Sequence, residues 1–352
     1  MKTGNRLTSL DLLKGISIFS FIIWHVFENF YSYKSYEAEL HRMQFFVTGY
    51  FVLSSGFMIG THYYQKIING IKWTSFFKRI CVRALKLFFF VFVAGMVMRY
   101  LKDKSFSLKD VFIIIQDILS LSYKDRWDIS MQVLIAVAVT LIFGYIIMIF
   151  FIKIKVSILI SLAVLLILAV TDYNSSEHIP YLWRYVLHGL VGVEIGMIFH
   201  QYIYNGDLQK KQIYVTGITL FCIFLPVEFC VAYEKIFYEY MLFKIGPGIL
   251  AVSIYAISLS LIFYARYDIE KASYNWATGG IIIAGNNSLF VYLLQISIIN
   301  FLKIIFKIRL DYQIECFVYS VIIFSVCIII CKFVIYLRCN TVIDRLYQIS
   351  FK

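Results

Sequence analysis

Windows of about twenty mostly apolar residues recur from one end of this chain to the other, each the length that crosses a bilayer's hydrocarbon at about 1.5 Å per residue. Lipid offers a backbone no hydrogen bonds, so such a chain has two solutions, helices or a closed barrel. A barrel would alternate polar and apolar residues in segments of about ten, and these runs do not alternate. The expected fold is therefore an all-α, polytopic membrane bundle. Composition points the same way: 61% of the 352 residues are hydrophobic and 15% charged, more apolar surface than a soluble core hides.

Ten spans are expected, at roughly 10–32, 43–64, 80–98, 130–152, 156–171, 181–200, 213–232, 241–264, 280–302 and 314–337. They form a single transmembrane domain over 1–352. The first span is read as retained, since it is too long for a signal peptide and lacks a small-residue cleavage site. An even count leaves both termini on one side. Lys and Arg in the short loops favour the cytoplasm for that side, with Lys2, Arg6, Lys66, Lys72, Lys78, Arg79, Lys210, Lys211 and Arg338 placed inside. The basic 99–129 loop falls outside under this scheme.

The net charge of +12 reflects these loops and anionic headgroups rather than nucleic acid. The seven cysteines, Cys81, Cys222, Cys230, Cys316, Cys327, Cys331 and Cys339, lie mostly in spans without paired CxxC spacing. No disulfide framework, metal site or bound cofactor is expected.

The stretch LDLLKGISIFSFIIWHVFENF, residues 10–30, carries Asp11, Lys14, His25 and Glu28 within a span. On a helix, Lys14 and His25 lie about 20° apart in direction and about 16 Å apart along the axis, with Asp11 and Glu28 within about 60° of Lys14. A stripe so costly to bury faces the bundle interior or a cavity. Snorkelling to the headgroups also accounts for Lys14, and a favourable first-turn dipole position for Asp11. His25 has no interface within reach and needs partners or a role.

These residues resemble the acyltransferase 3 membrane family. Leu10-Asp11-x-x-Lys14-Gly15 with His25 beyond it is similar to that family's first helix, L-D-x-x-R-G followed by a histidine. YFVLSSGFMIG, residues 50–60, is similar to its F-F-x-L-S-G-F element, with an ending that also resembles glucan succinyltransferases of the OpgC type. FFKRICVRALKLF, with Arg79 and Arg83 four apart, resembles its basic segment. AGNNSLFVYLLQ, residues 284–295, resembles its late G-x-x-S-x-x-x-Y-x-x-H element. Two positions depart from the family. Lys14 replaces an arginine, keeping the charge but losing the planar fork, and Gln295 replaces a histidine, so it can hydrogen-bond but not titrate.

The resemblance implies an O-acyltransferase of the bacterial inner membrane. It would move an acyl group, acetyl being common in the family and succinyl an alternative, from acyl-CoA to a hydroxyl of a surface polysaccharide or lipid-linked precursor. Acyl-CoA is then a co-substrate. Imidazole, whose unperturbed pKa is about 6.5, suits the removal of the hydroxyl proton near neutral pH, which makes His25 the candidate base, acting directly or through an acyl-imidazole. Arg79, Arg83 and Lys86 would hold CoA phosphates, although the positive-inside rule alone also places them there. Lys14 would contact pantetheine or a phosphate, with Asp11 orienting it. Ser54, Ser55 and Gly56 would admit the acyl arm or simply let helices pack closely.

On the acceptor side, Glu28, Trp127, Asp128, Arg184 and His188 are the candidates. Trp127 also fits an interfacial anchor, and Arg184 and His188 fit interhelical pairs. Glu194 points away from that pair. Ser288, Tyr292 and Gln295 share a face, as residues that hydrogen-bond between helices do. Two rivals remain: a transporter or flippase with an ionisable path, against which stand the lack of a repeat and few helix breaks, KIGPGIL at 244–250 being the main one; and a transmembrane N-acetyltransferase acting on terminal glucosamine, related in its first-helix pattern.

Overall fold

A computed structural model describes residues 8–32, 37–103, 107–120, 129–154, 181–204, 209–232, 261 and 276–351. In chain order its helices are α1 (Thr8–Phe30), α2 (Glu37–Ile68), α3 (Thr74–Asp103), α4 (Leu108–Ser120), α5 (Ile129–Ile154), α6 (Tyr181–Ile198), α7 (Lys210–Ala232), α8 (Trp276–Asn286), α9 (Ser288–Phe301), α10 (Gln313–Leu337) and α11 (Thr341–Phe351). Two π-helical turns, Phe199–Tyr204 and Leu302–Phe306, extend α6 and α9. The expected spans at 156–171 and, apart from Leu261, 241–264 lie outside the described residues.

Among the described residues, three helical segments are long and apolar enough to cross a membrane: Thr74–Val97, Val133–Lys153 and Gln313–Leu337. On α10 the exposed residues include Ile314, Val318, Ile322, Ile329, Phe333 and Tyr336, an apolar outer face suited to hydrocarbon. The expected straight span at 280–302 is instead broken. Ala277–Asn286 and Ser288–Phe301 meet at 98°, and counted as one span they make a fourth. The break follows from Asn287, whose backbone sits at φ −113°, ψ 36° while its amide donates to the Ile283 carbonyl at 2.9 Å. Such local side-chain bonds compete with the helix ladder.

Two short helices lie where loops were expected. α4 begins where the Ser107 backbone N–H and hydroxyl both donate to the Asp110 carboxylate, at 2.9 and 2.6 Å, which satisfies the start of the helix. α11 is joined to the end of α10 by the Arg338–Asp344 ion pair at 2.6 Å.

The chain divides into two compact units. The first comprises Met1–Tyr50, Lys210–Cys222 and Ala256–Lys352. In it α1 packs on α8, α9 and α10. Gly15 and Gly285 bring α1 and α8 together: a Cβ on Gly15 would overlap the Ile281 carbonyl oxygen, and one on Gly285 the Asp11 carbonyl oxygen. Phe19 packs against Phe317 and Phe324, with ring centroids 6.3 and 5.0 Å away. Beyond α1, Leu310 donates its N–H to the Phe30 carbonyl at 2.8 Å and accepts from Ser32 at 3.0 Å.

The second unit comprises Phe51–Gln209 and Ile223–Tyr255. Within it α2 and α6 approach through reciprocal glycines. A Cβ on Gly56 or Gly60 would overlap the carbonyl oxygen of Gly189 or Val193, and one on Gly192 or Gly196 that of Leu53 or Phe57. This is small-xxx-small packing, which gains dispersion and close backbone contact where lipid supplies no hydrophobic drive. Around it Ile59, Tyr63, Phe76, Ile80, Tyr145, Met148 and Met197 form a buried core, and Tyr145 donates its hydroxyl to the Trp73 carbonyl at 2.6 Å.

Gly56→Leu or Gly192→Leu should cost more than the about 1–3 kcal/mol typical of overpacking, because each clash is with backbone. Gly95→Ala, which meets only the Ile114 side chain at 3.4 Å, should be tolerated. Thermal melts of the purified protein in detergent check both, and equal melting of all three variants would contradict the packing.

Candidate functional site

α1 carries His25 into the interior of the first unit, where the residue is 3% exposed. Trp24 lies 4.5 Å from its ring and Phe21 6.3 Å, the latter nearly parallel. Nδ1 lies 3.6 Å from the Glu28 carboxylate, whose side chain is 42% exposed; Glu28 thus stands at the edge of the stripe rather than buried in it. Nε2 is buried and has no hydrogen-bond partner among the described residues. One side of the imidazole has an acid beside it and the other has no partner among the described residues.

Against α1 packs α9, whose buried face is Val291, Tyr292, Gln295, Ile296 and Ile299. The Tyr292 ring meets Phe21 edge-on at 5.3 Å. Gln295 is fully buried, and neither its amide nitrogen nor its oxygen has a hydrogen-bond partner among the described residues. Farther along, Lys303 donates to the Asn29 side-chain oxygen at 2.8 Å, and the Asn29 amide donates to the His25 carbonyl at 2.8 Å. These contacts tie the far end of α9 to the turn of α1 that bears His25.

At the other end of α1, Asp11 is buried and Lys14 half-buried, next to the tip of α8. The break after α8 is fixed from the C-terminal side. Tyr347 on α11 donates its hydroxyl to the Asn287 side-chain oxygen at 2.6 Å, and the Arg338 guanidinium stacks 4.4 Å from the Tyr347 ring centroid.

A second cluster stands in the second unit. Arg79 and Arg83 are exposed on α3 and Lys86 half-buried. Two residues at the end of α2 join them: His62, not singled out from the sequence, and Lys66, read there only as a cytoplasmic cation. Lys66 donates to His62 Nε2 at 2.8 Å, and the charges of Lys66 and Arg83 both bear on His62. Burial, and then the Arg79 charge, hold the Lys66 ammonium below its usual range. Crowding several cations at one place suits a polyanion. The signal in the sequence was the i,i+4 pair just past a span, followed by arginines four apart.

The remaining candidates divide. The Ser54 and Ser55 hydroxyls both donate to the Phe51 carbonyl, at 2.8 and 3.0 Å, and Gly56 is used in helix packing. His188 is fully buried on α6, as is Glu194. Arg184 begins α6, with its side chain outside the described residues, as are Trp127 and Asp128. Among the described residues no group of three or more His, Cys, Asp or Glu is placed to hold a metal.

The chain belongs to the acyltransferase 3 family, whose profile, an acyltransferase domain, matches residues 7–332. It is thus an integral membrane protein of a family of membrane acyltransferases. Comparison with curated proteins and with solved structures gives no match. The resemblance to OpgC-type succinyltransferases has no counterpart in these findings.

The Tyr347–Asn287 contact makes a prediction about pH. Burial pushes the Tyr347 hydroxyl up to about 12, with nearby Cys331 adding to this and Arg338 opposing it. The folded pKa exceeds the unfolded value of about 10, so this contribution is complete below pH 10 and is lost as pH rises toward 12. Tyr347→Phe should lower stability by about 1 kcal/mol at neutral pH and flatten the decline above pH 10. Chemical denaturation across pH 8–12 checks it, and identical alkaline slopes in both proteins would contradict it.

Proposed function

We propose that the protein is an O-acyltransferase that moves an acyl group, acetyl in the first instance, from acyl-CoA to a hydroxyl of a surface polysaccharide or its lipid-linked precursor. The observation that carries this reading is the buried His25 Nε2 without a hydrogen-bond partner among the described residues, in a chain of an acyltransferase family. A buried imidazole nitrogen with nothing to bond is costly, and a substrate hydroxyl would satisfy it. The setting is a single domain of ten spans in the bacterial inner membrane, with both termini cytoplasmic.

In this mechanism His25 Nε2 accepts the acceptor hydroxyl's proton as oxygen attacks the thioester carbonyl. Glu28, beside Nδ1, favours the imidazolium that results and orients the ring. The thiolate of CoA leaves and takes the proton back. Arg79, Arg83 and Lys86, with His62 and Lys66, bind the CoA phosphates. The two clusters belong to different compact units, and each is proposed on its own geometry.

The reconstituted protein, supplied with acetyl-CoA and a cell-envelope glycan fraction, should acylate the glycan, and mass spectrometry should find an ester. His25→Ala should lower the rate by about 10²–10⁴ while leaving the protein folded. A mutant with more than half the activity would make His25 structural. An amide product would favour the N-acetyltransferase reading, and substrate translocation without any acylation the transporter reading.

Neutralising Arg79 and Arg83 together should raise the donor KM far more than the acceptor KM, because ground-state binding to one substrate is lost. An unchanged donor KM with altered loop topology would assign them to membrane orientation alone.

A further inference from the structure

The acyl carbonyl of such a reaction gains negative charge as the acceptor oxygen attacks, and that charge needs a donor other than the base. Gln295 is fully buried with both amide atoms unpartnered among the described residues. Interhelical hydrogen bonding, the usual task of a glutamine on such a face, is not made by this one among the described residues. Its position is set by two contacts. Tyr292 meets Phe21, and Lys303 meets Asn29, so α9 and its π-helical extension run alongside α1 in the same direction. From the Phe21–Tyr292 contact, His25 lies about 6 Å farther along α1 and Gln295 about 4.5 Å farther along α9. The two unpartnered groups stand at nearly the same level on helices that touch.

We infer that Gln295 is the oxyanion donor of the transfer site, its Nε2–H donating to the acyl carbonyl oxygen while His25 Nε2 takes the acceptor proton. The inference deepens the acyl-CoA reading above and rests on it. As the acceptor oxygen bonds to the carbonyl carbon, the carbon–oxygen π pair moves onto the carbonyl oxygen, where the buried carboxamide meets it. The pair returns as the carbon–sulfur bond breaks, and the CoA thiolate leaves with the proton held by His25. A preorganised neutral donor in a dry site stabilises this charge without reorganising. It also explains the glutamine chemically: an amide is a donor at every pH, whereas a carboxylate would repel the developing charge.

The test is CoA thiol release from acetyl-CoA by the full-length protein with the envelope glycan fraction as acceptor, for the wild type and Gln295→Leu, Gln295→Glu and Gln295→His, alongside thermal melts. The Leu and Glu variants should lose about 10²–10³ in kcat with the donor KM within about threefold, whereas His, which restores an N–H donor, should stay within about tenfold of the wild type. Gln295→Leu should melt no lower than the wild type, since it removes a buried unsatisfied group rather than a bond. A Leu variant with kcat within threefold of the wild type would overturn the inference. So would one that melts markedly lower and regains neither activity nor stability as His, which would make Gln295 structural. A wild-type protein releasing no CoA would instead overturn the acyl-CoA reading itself.

Discussion

Taking an unpaired polar group out of water costs about 2–7 kcal/mol when nothing replaces its hydrogen bonds, and that penalty orders this structure. Most helical hydroxyls avoid it locally. Ser54, Ser55, Thr61, Ser297, Ser320 and Ser325 each donate to a backbone carbonyl three or four residues earlier, so they are satisfied wherever their helix goes. Against that background His25 Nε2, both amide atoms of Gln295 and the Thr140 hydroxyl are buried without a partner among the described residues. Buried polar atoms kept without partners are where a ligand's own polar atoms fit.

Helix approach decides where such groups come to lie. In the first unit the α1–α8 contact is backbone against backbone at Gly15 and Gly285, which fixes the axial position of Asp11 and the tip of α8. The break at Asn287 then redirects the chain so that α9 follows α1 past Phe21. A straight helix continuing α8 would have carried Tyr292 and Gln295 elsewhere. Irregular backbone inside a membrane protein is tolerated where protein surrounds it or a cavity borders it. Here Tyr347, brought back by α11, bonds to Asn287 at the break, and Arg338 at the end of α10 stacks on its ring.

Periodicity made the helices legible, and α1, α5, α7 and α10 start and end within a few residues of the apolar windows. The first-helix stripe was legible because its polar residues recur at helical spacing, and His25 is buried as that spacing requires. Glu28 is exposed although Phe30 beyond it is buried, and spacing alone does not report which side of the last turn the neighbouring helices cover. The break at Asn287 was hidden because Gly285-Asn286-Asn287-Ser288 interrupts an otherwise apolar run without a proline, and a local side-chain bond of Asn287 accompanies the turn of the chain. His62 and Lys66 were missed since a cation just past a span reads as positive-inside bias. Their grouping with Arg79 and Arg83 depends on how α2 and α3 pack. The glycines at 56, 60, 192 and 196 did carry a readable small-xxx-small pattern, and they pack α2 on α6.

The central claim is that His25 Nε2, unpartnered among the described residues, meets the reacting group. Its most direct test is a cryo-EM structure of the full-length protein with a non-transferable acyl-CoA analogue in which a methylene replaces the thioester sulfur. The account predicts the acyl carbonyl carbon within about 4 Å of His25 Nε2, close enough for an attacking hydroxyl to lie in hydrogen-bond reach of that nitrogen. An analogue bound with its acyl group distant from α1, and His25 Nε2 paired to a protein side chain, would contradict it.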